Sequence, residues 1–130
     1  MNPVATDIGI TRVGQIAVSV KDVERAATFY QETLGLKLLF KAPPGLAFFD
    51  CGGLRLMLNR AEKPEFDHPS SILYFSVPDI QAAYARLKED KVHFEDEPHV
   101  IAKMPTHDLW MTFFRDSENN LLALMSEVAR

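Results

Sequence analysis

The stretch QIAVSVKDV at residues 15–23 returns as ILYFSVPDI at residues 72–80. Val20 falls on Val77, Asp22 on Asp79 and Val23 on Ile80, an offset of about 57 residues. A second pair follows in the same order: AFFDCGGLRLML at 47–58 against TFFRDSENNLLALM at 112–125, with Phe48-Phe49 on Phe113-Phe114. A unit that itself runs strand, helix, strands does not have a solenoid period, so it marks a duplicated module. The fold must therefore be built of two like halves.

Within each half the local signals agree. Residues 13–20 alternate in the period-two pattern of a half-buried strand, with Ile16, Val18 and Val20 on one side and Gln15, Ala17 and Ser19 on the other. Asp22 stands where a helix N-cap is wanted, Val23, Ala26, Ala27, Tyr30 and Leu34 recur at helical spacing, and Gly35 supplies the stop. Strand-like runs at 36–41, 46–50 and 54–59 are separated by Pro43-Pro44-Gly45 and Gly52-Gly53. Residues 60–70 are polar, with two prolines, and read as a linker. The second half restarts with a strand at 72–77, an N-cap at Asp79, a helix, a strand beginning at 92–94, and a hairpin of 109–115 with 121–125. The expected division is one domain over 1–130, with a first module at about 12–60, a linker at about 61–70 and a second module at about 71–127.

Composition narrows the function classes. At 47% hydrophobic, a chain of 130 residues can form a real core without staples. The net charge of −4 is scattered and no basic stripe exists, which argues against nucleic acid as a partner. The opening residues 1–12 lack the charged and apolar regions of a secretory signal, and no apolar run is long enough for a bilayer. With the single Cys51, a cytoplasmic protein away from membranes is the expectation.

The run SVKDVERAATFYQETLGLKL, a strand with Val-x-Asp followed by a helix ending Phe-Tyr and then Leu-Gly-Leu, resembles the opening of vicinal-oxygen-chelate proteins. The closing hairpin FFRDSENNLLALMSE resembles their Asp-Pro-x-Gly-Asn signature, with Ser117 and Asn119 replacing the proline and glycine. The resemblance covers about residues 12–127 and names the glyoxalase/bleomycin resistance protein/dioxygenase family. It implies an α+β fold of two βαβββ modules whose curled mixed sheets surround a cavity, as in glyoxalase, bleomycin resistance proteins and dihydroxybiphenyl dioxygenase. It also implies a homodimer.

In the enzymes of that family a divalent metal is held by side chains from the first and fourth strands of each half. Carried over, the first-strand position is Gln15, five residues before the Val of Val-x-Asp, and its counterpart is Ile72. The last-strand position is Ala123, three residues after the Asn that closes the turn, and its counterpart is Met57. Gln15 offers an oxygen, Ile72 and Ala123 offer no ligand atom, and a thioether suits soft copper better than a hard divalent ion. Slipping the register by one brings in Ser71, Leu73, Leu122 and Leu124, which supply no set either. No metal and no cofactor are expected.

The candidate ligand-contacting residues are Gln15, Phe49, Met57, Ile72, Tyr74, Trp110 and Ala123. Each has a plainer reading: Gln15 bonded to backbone or water, Met57 as packing, and the apolar side chains as core or dimer interface. Which of Trp110 and Met111 faces inward is open. His107, near Asp108 and Trp110, is the candidate acid or base, against the simpler reading of a loop histidine. Strand neighbours point to opposite faces, so Asp108 need not orient it. His68, His93 and His99 lack metal-ligand spacing, and Cys51 reads as a spectator thiol.

Three functions fit these observations. The first is a metal-independent protein that binds a small apolar or aromatic molecule. The second is a metal-dependent glyoxalase-like lyase/isomerase or dioxygenase, which needs unrecognised ligands such as His107 or the acidic 95–97 run. The third is a metal-free enzyme using His107 or Tyr74 as acid or base.

Overall fold

A computed structural model describes residues 8–130 except Glu62; residues 1–7, which form most of the opening segment read above for a signal, lie outside the described residues. The alternating run at the start of the first half forms β1 (Gln15–Ser19). Asp22 then caps α1 (Val23–Thr28), its Oδ1 accepting the Arg25 N–H at 3.0 Å. The helix widens into a π-helical turn at Phe29–Thr33, where the Leu34 N–H reaches the Phe29 carbonyl, and Gly35 at φ +77° ends it. Strands β2 (Lys37–Ala42), β3 (Leu46–Cys51) and β4 (Leu54–Asn59) complete a sheet of order β1-β4-β3-β2. Only the β1–β4 pair is parallel.

The second half repeats this order. β5 (Leu73–Ser76), α2 (Ile80–Glu89), β6 (His99–Lys103), β7 (His107–Arg115) and β8 (Leu121–Ala129) give a sheet of order β5-β8-β7-β6, with β5–β8 parallel. Asp79 caps α2 as Asp22 caps α1, its Oδ1 accepting the Ala82 N–H at 3.1 Å. The correspondence extends to single bonds: Val20 N–H donates to the Asn59 carbonyl and Val77 N–H to the Met125 carbonyl, both at 2.9 Å. These are two mixed four-stranded sheets of the same topology, an α+β fold.

One expected strand is replaced. Phe94 makes only an isolated bridge to Phe114, and the strand proper begins at His99. Between them Asp96 takes over the pairing, its Oδ1 accepting from the Phe113 N–H and the Thr112 hydroxyl at 2.8 Å each, and Pro98 has no N–H to give. A polar side chain thus substitutes for ladder bonds that the acidic run would form poorly. The linker holds a 3-10 turn at Pro64–Phe66.

A single apolar cluster joins the halves, with Val18, Tyr30, Phe49 and Leu58 from the first and Ile80, Leu87, Phe114 and Leu122 from the second. Each large side chain buried there stabilises by about 1.5–3 kcal/mol. Among the described residues no helix is long and apolar enough to cross a membrane.

Candidate functional site: the open sheet faces

Alternation along each strand sends one set of side chains to this core and the other to the opposite face of the sheet. In the first sheet Ile16, Val18, Leu56, Leu58 and Phe49 face the core, while Gln15, Ala17, Met57 and Phe48 face away. Ala17 pairs with Met57 and Met57 with Phe48, so these three side chains sit in one row. Gln15 Nε2 lies 3.6 Å from the Met57 sulfur, and Arg55 Nε donates to Gln15 Oε1 at 2.7 Å.

The second sheet presents the equivalent row. Tyr74 pairs with Ala123 and Ala123 with Phe113, and the Tyr74 and Phe113 rings meet edge to face at 5.8 Å. The Ala123 methyl between them is fully buried. Ile72 and Tyr74 remain 40% and 45% exposed, and Met111 continues the same face through its pairing with Met125.

Four of the seven expected ligand-contact residues, Gln15, Met57, Tyr74 and Ala123, thus lie on the open faces within the strands, and Ile72 precedes β5 in phase with Tyr74. Two are corrected. Phe49 is fully buried against Tyr30, with ring centroids 6.1 Å apart, and Trp110 packs against the core. Their strand neighbours Phe48 and Met111 hold the open-face positions instead. The two-residue turn at Gly52-Gly53 carries the signal for Phe48: it sets Cys51 opposite Leu54, and counting back puts Phe48 opposite Met57.

His107 also faces the open side of the second sheet, in phase with Leu109 and Met111, and its Nε2 lies 3.2 Å from Glu127 Oε2. Asp108 points the other way and pairs with Arg130 Nε at 3.0 Å, so it does not orient the imidazole. Burial, reinforced by Asp50, pushes the Cys51 thiol pKa up and keeps it protonated near neutrality. Among the described residues no group of three or more His, Cys, Asp or Glu converges on a common point.

Residues 12–124 match the family model described as Glyoxalase/Bleomycin resistance protein/Dioxygenase superfamily. The chain belongs to this superfamily. Among its superfamily relatives, the metallothiol transferase FosB of Lysinibacillus sphaericus is 31% identical over 84 residues, 65% of this chain and 56% of the transferase. The match therefore spans little more than half of that relative's length. TnmS3, an antibiotic binding protein from Streptomyces sp. CB03234, superposes with a TM-score of 0.73 at 28% identity, covering 92% of this chain and 98% of that one. Lactoylglutathione lyase from Agrobacterium tumefaciens shares the fold, with a TM-score of 0.69 at 21% identity over 90% of this chain and 94% of the lyase.

Proposed function

We propose that this superfamily member binds a small apolar or aromatic molecule against its open sheet faces without a metal, as a cytoplasmic homodimer. The observation that carries the reading is what stands at the four positions where superfamily enzymes place metal ligands: Gln15, Met57, Ile72 and Ala123. The Gln15 oxygen accepts from a guanidinium, so the one hard donor of the set already faces a positive charge. The Ala123 position is flanked by Tyr74 and Phe113, an apolar aromatic setting. Such a donor set does not fit a hard divalent ion, whereas the surrounding surface fits an apolar ligand oriented by few polar groups. Similarity to an antibiotic binding protein over nearly the whole chain supports a binding role.

Metal analysis of untagged protein, before and after incubation with Ni, Zn, Mn, Fe and Co, together with a screen of aromatic compounds, tests the reading. Less than about a tenth of an equivalent of metal, and a ligand bound without being consumed, is the expected result. Near one equivalent of metal would overturn it in favour of a glyoxalase-like lyase/isomerase or dioxygenase. A metal-free acid–base enzyme is the second reading, favoured by the 3.2 Å approach of His107 to Glu127 on the open face. Ligand turnover that His107→Ala abolishes would establish it.

A further inference from the structure

On the open face of the first sheet three planar groups follow one another across β4, β3 and β2. The Arg55 guanidinium carbon lies 5.3 Å from the Phe48 ring centroid. Phe48 in turn stacks on Phe40, with centroids 4.4 Å apart and planes inclined by 23°. Phe40 is 47% exposed, so the outer ring offers its surface to solvent.

The guanidinium at the other end is held but not neutralised. Gln15 Oε1 accepts from its Nε at 2.7 Å, and its carbon lies over the Phe48 ring. No carboxylate of the described residues lies within 4.0 Å of it. Asp50 is its cross-strand partner, yet the Asp50 carboxylate turns away to accept the Gly53 N–H at 3.1 Å. Arg12 lines the same open depression of about 500 Å³, together with Gly14, Gln15 and Gly53. Two cations therefore share one mouth in a chain whose net charge is −4. Ordering a long side chain costs rotamer entropy, and a guanidinium fixed in its plane is preorganised for a planar oxyanion.

We infer that the ligand is a planar aromatic anion, its carboxylate or other oxyanion paired with Arg55 and its ring system reaching across the buried Phe48 to the exposed Phe40. The inference rests on the small-molecule reading above and names its ligand class. Aromatic faces favour a flat ring offset from their own, and the guanidinium favours a two-oxygen acceptor.

Binding of 2-naphthoate and its neutral isostere 2-naphthamide, measured by calorimetry on the wild-type protein and on Arg55→Gln, tests it. Naphthoate is expected to bind about tenfold more tightly than the amide, and to weaken as salt rises. Arg55→Gln is expected to remove the preference while leaving the amide affinity within about twofold; Arg55→Lys keeps part of it. Phe40→Ser, a change at an exposed site, should weaken both probes together. Equal wild-type affinities, or a preference that survives Arg55→Gln, overturn the inference and leave the small-molecule reading standing. If neither probe binds at millimolar concentration the inference falls. If the compound screen also finds no ligand, the binding reading falls with it.

Discussion

Asp116 is the side chain on which most of the local order at the β7–β8 turn depends. Its Oδ1 accepts the N–H groups of Glu118 and Asn120, and its Oδ2 accepts the Tyr30 hydroxyl at 2.8 Å and the Asn120 amide at 3.0 Å. Burial first, then the Asp116 charge and hydrogen bond, raises the Tyr30 pKa far above its ordinary value, so the phenol stays a donor. Tyr30→Phe loses one buried bond and is expected to cost about 1–2 kcal/mol in urea unfolding. Asp116→Ala strands the phenol and two amides, and about 3 kcal/mol or more is expected. The neighbouring Glu118 accepts from the backbone of Lys21 and Asp22 and from Arg25 Nε at 2.6 Å, with its own side chain 2% exposed. Burial pushes its pKa up, but these donors and the Arg25 charge outweigh it and hold the carboxyl below its usual value. A depressed folded pKa gives stability that is complete above the unfolded value of about 4.3 and is lost as pH falls through the folded one. Melting temperature should therefore drop more steeply below about pH 4.3 in wild type than in Glu118→Gln. At this scale the resemblance put Gln15 and Met57 on the first and fourth strands, where they lie, whereas the clasp was not legible. Nothing local announces that Asp116 meets a tyrosine from the other half.

The elements were legible where a chemical signal is local. Both N-cap aspartates, the Gly35 stop and the Gly52-Gly53 hairpin lie where their side-chain and backbone chemistry puts them. The β7–β8 hairpin was harder, because its loop of Asp116 to Asn120 admits more than one register, and one residue of slip exchanges Trp110 for Met111 on the open face. The same turn shows how the superfamily's glycine can be replaced. Asn119 has φ +65°, a conformation asparagine tolerates better than most residues. Asn119→Gly is accordingly expected to be neutral or stabilising, by up to about 1 kcal/mol. Asn119→Val, β-branched in a left-handed backbone, should cost about 1–2 kcal/mol in the same unfolding assay. Equal stability of the two variants would mean that the turn relaxes to another conformation. The strand expected to begin at 92–94 has the opposite lesson: its pairing stops at the Phe94–Phe114 bridge, because the Asp96 side chain outcompeted the backbone for the Phe113 N–H.

At the scale of the whole molecule, duplication was written in the sequence, but which faces the two sheets leave uncovered was not, since that depends on how the halves meet in three dimensions. Each half turns one sheet face to the shared core and leaves the other with large apolar side chains in water: Phe40 in the first, Ile72 and Tyr74 in the second. Exposed apolar area is worth roughly 25 cal/mol per Å² when covered, and contiguous patches of this kind mark interaction surfaces. A second copy covering these faces would bury them without needing any further chain. Light scattering at tens of micromolar should then give twice the protomer mass of 14.7 kDa. Tyr74→Asp, which sets a charge into the covered face but leaves the core untouched, should move that mass toward 14.7 kDa. If wild type is monomeric at every concentration tried, the open faces are left for the ligand itself to cover, and addition of a bound aromatic compound should raise the melting temperature in proportion to its affinity. A dimer whose melting temperature the same compound also raises would place ligand and partner on the same faces, with the binding surface shared between two copies.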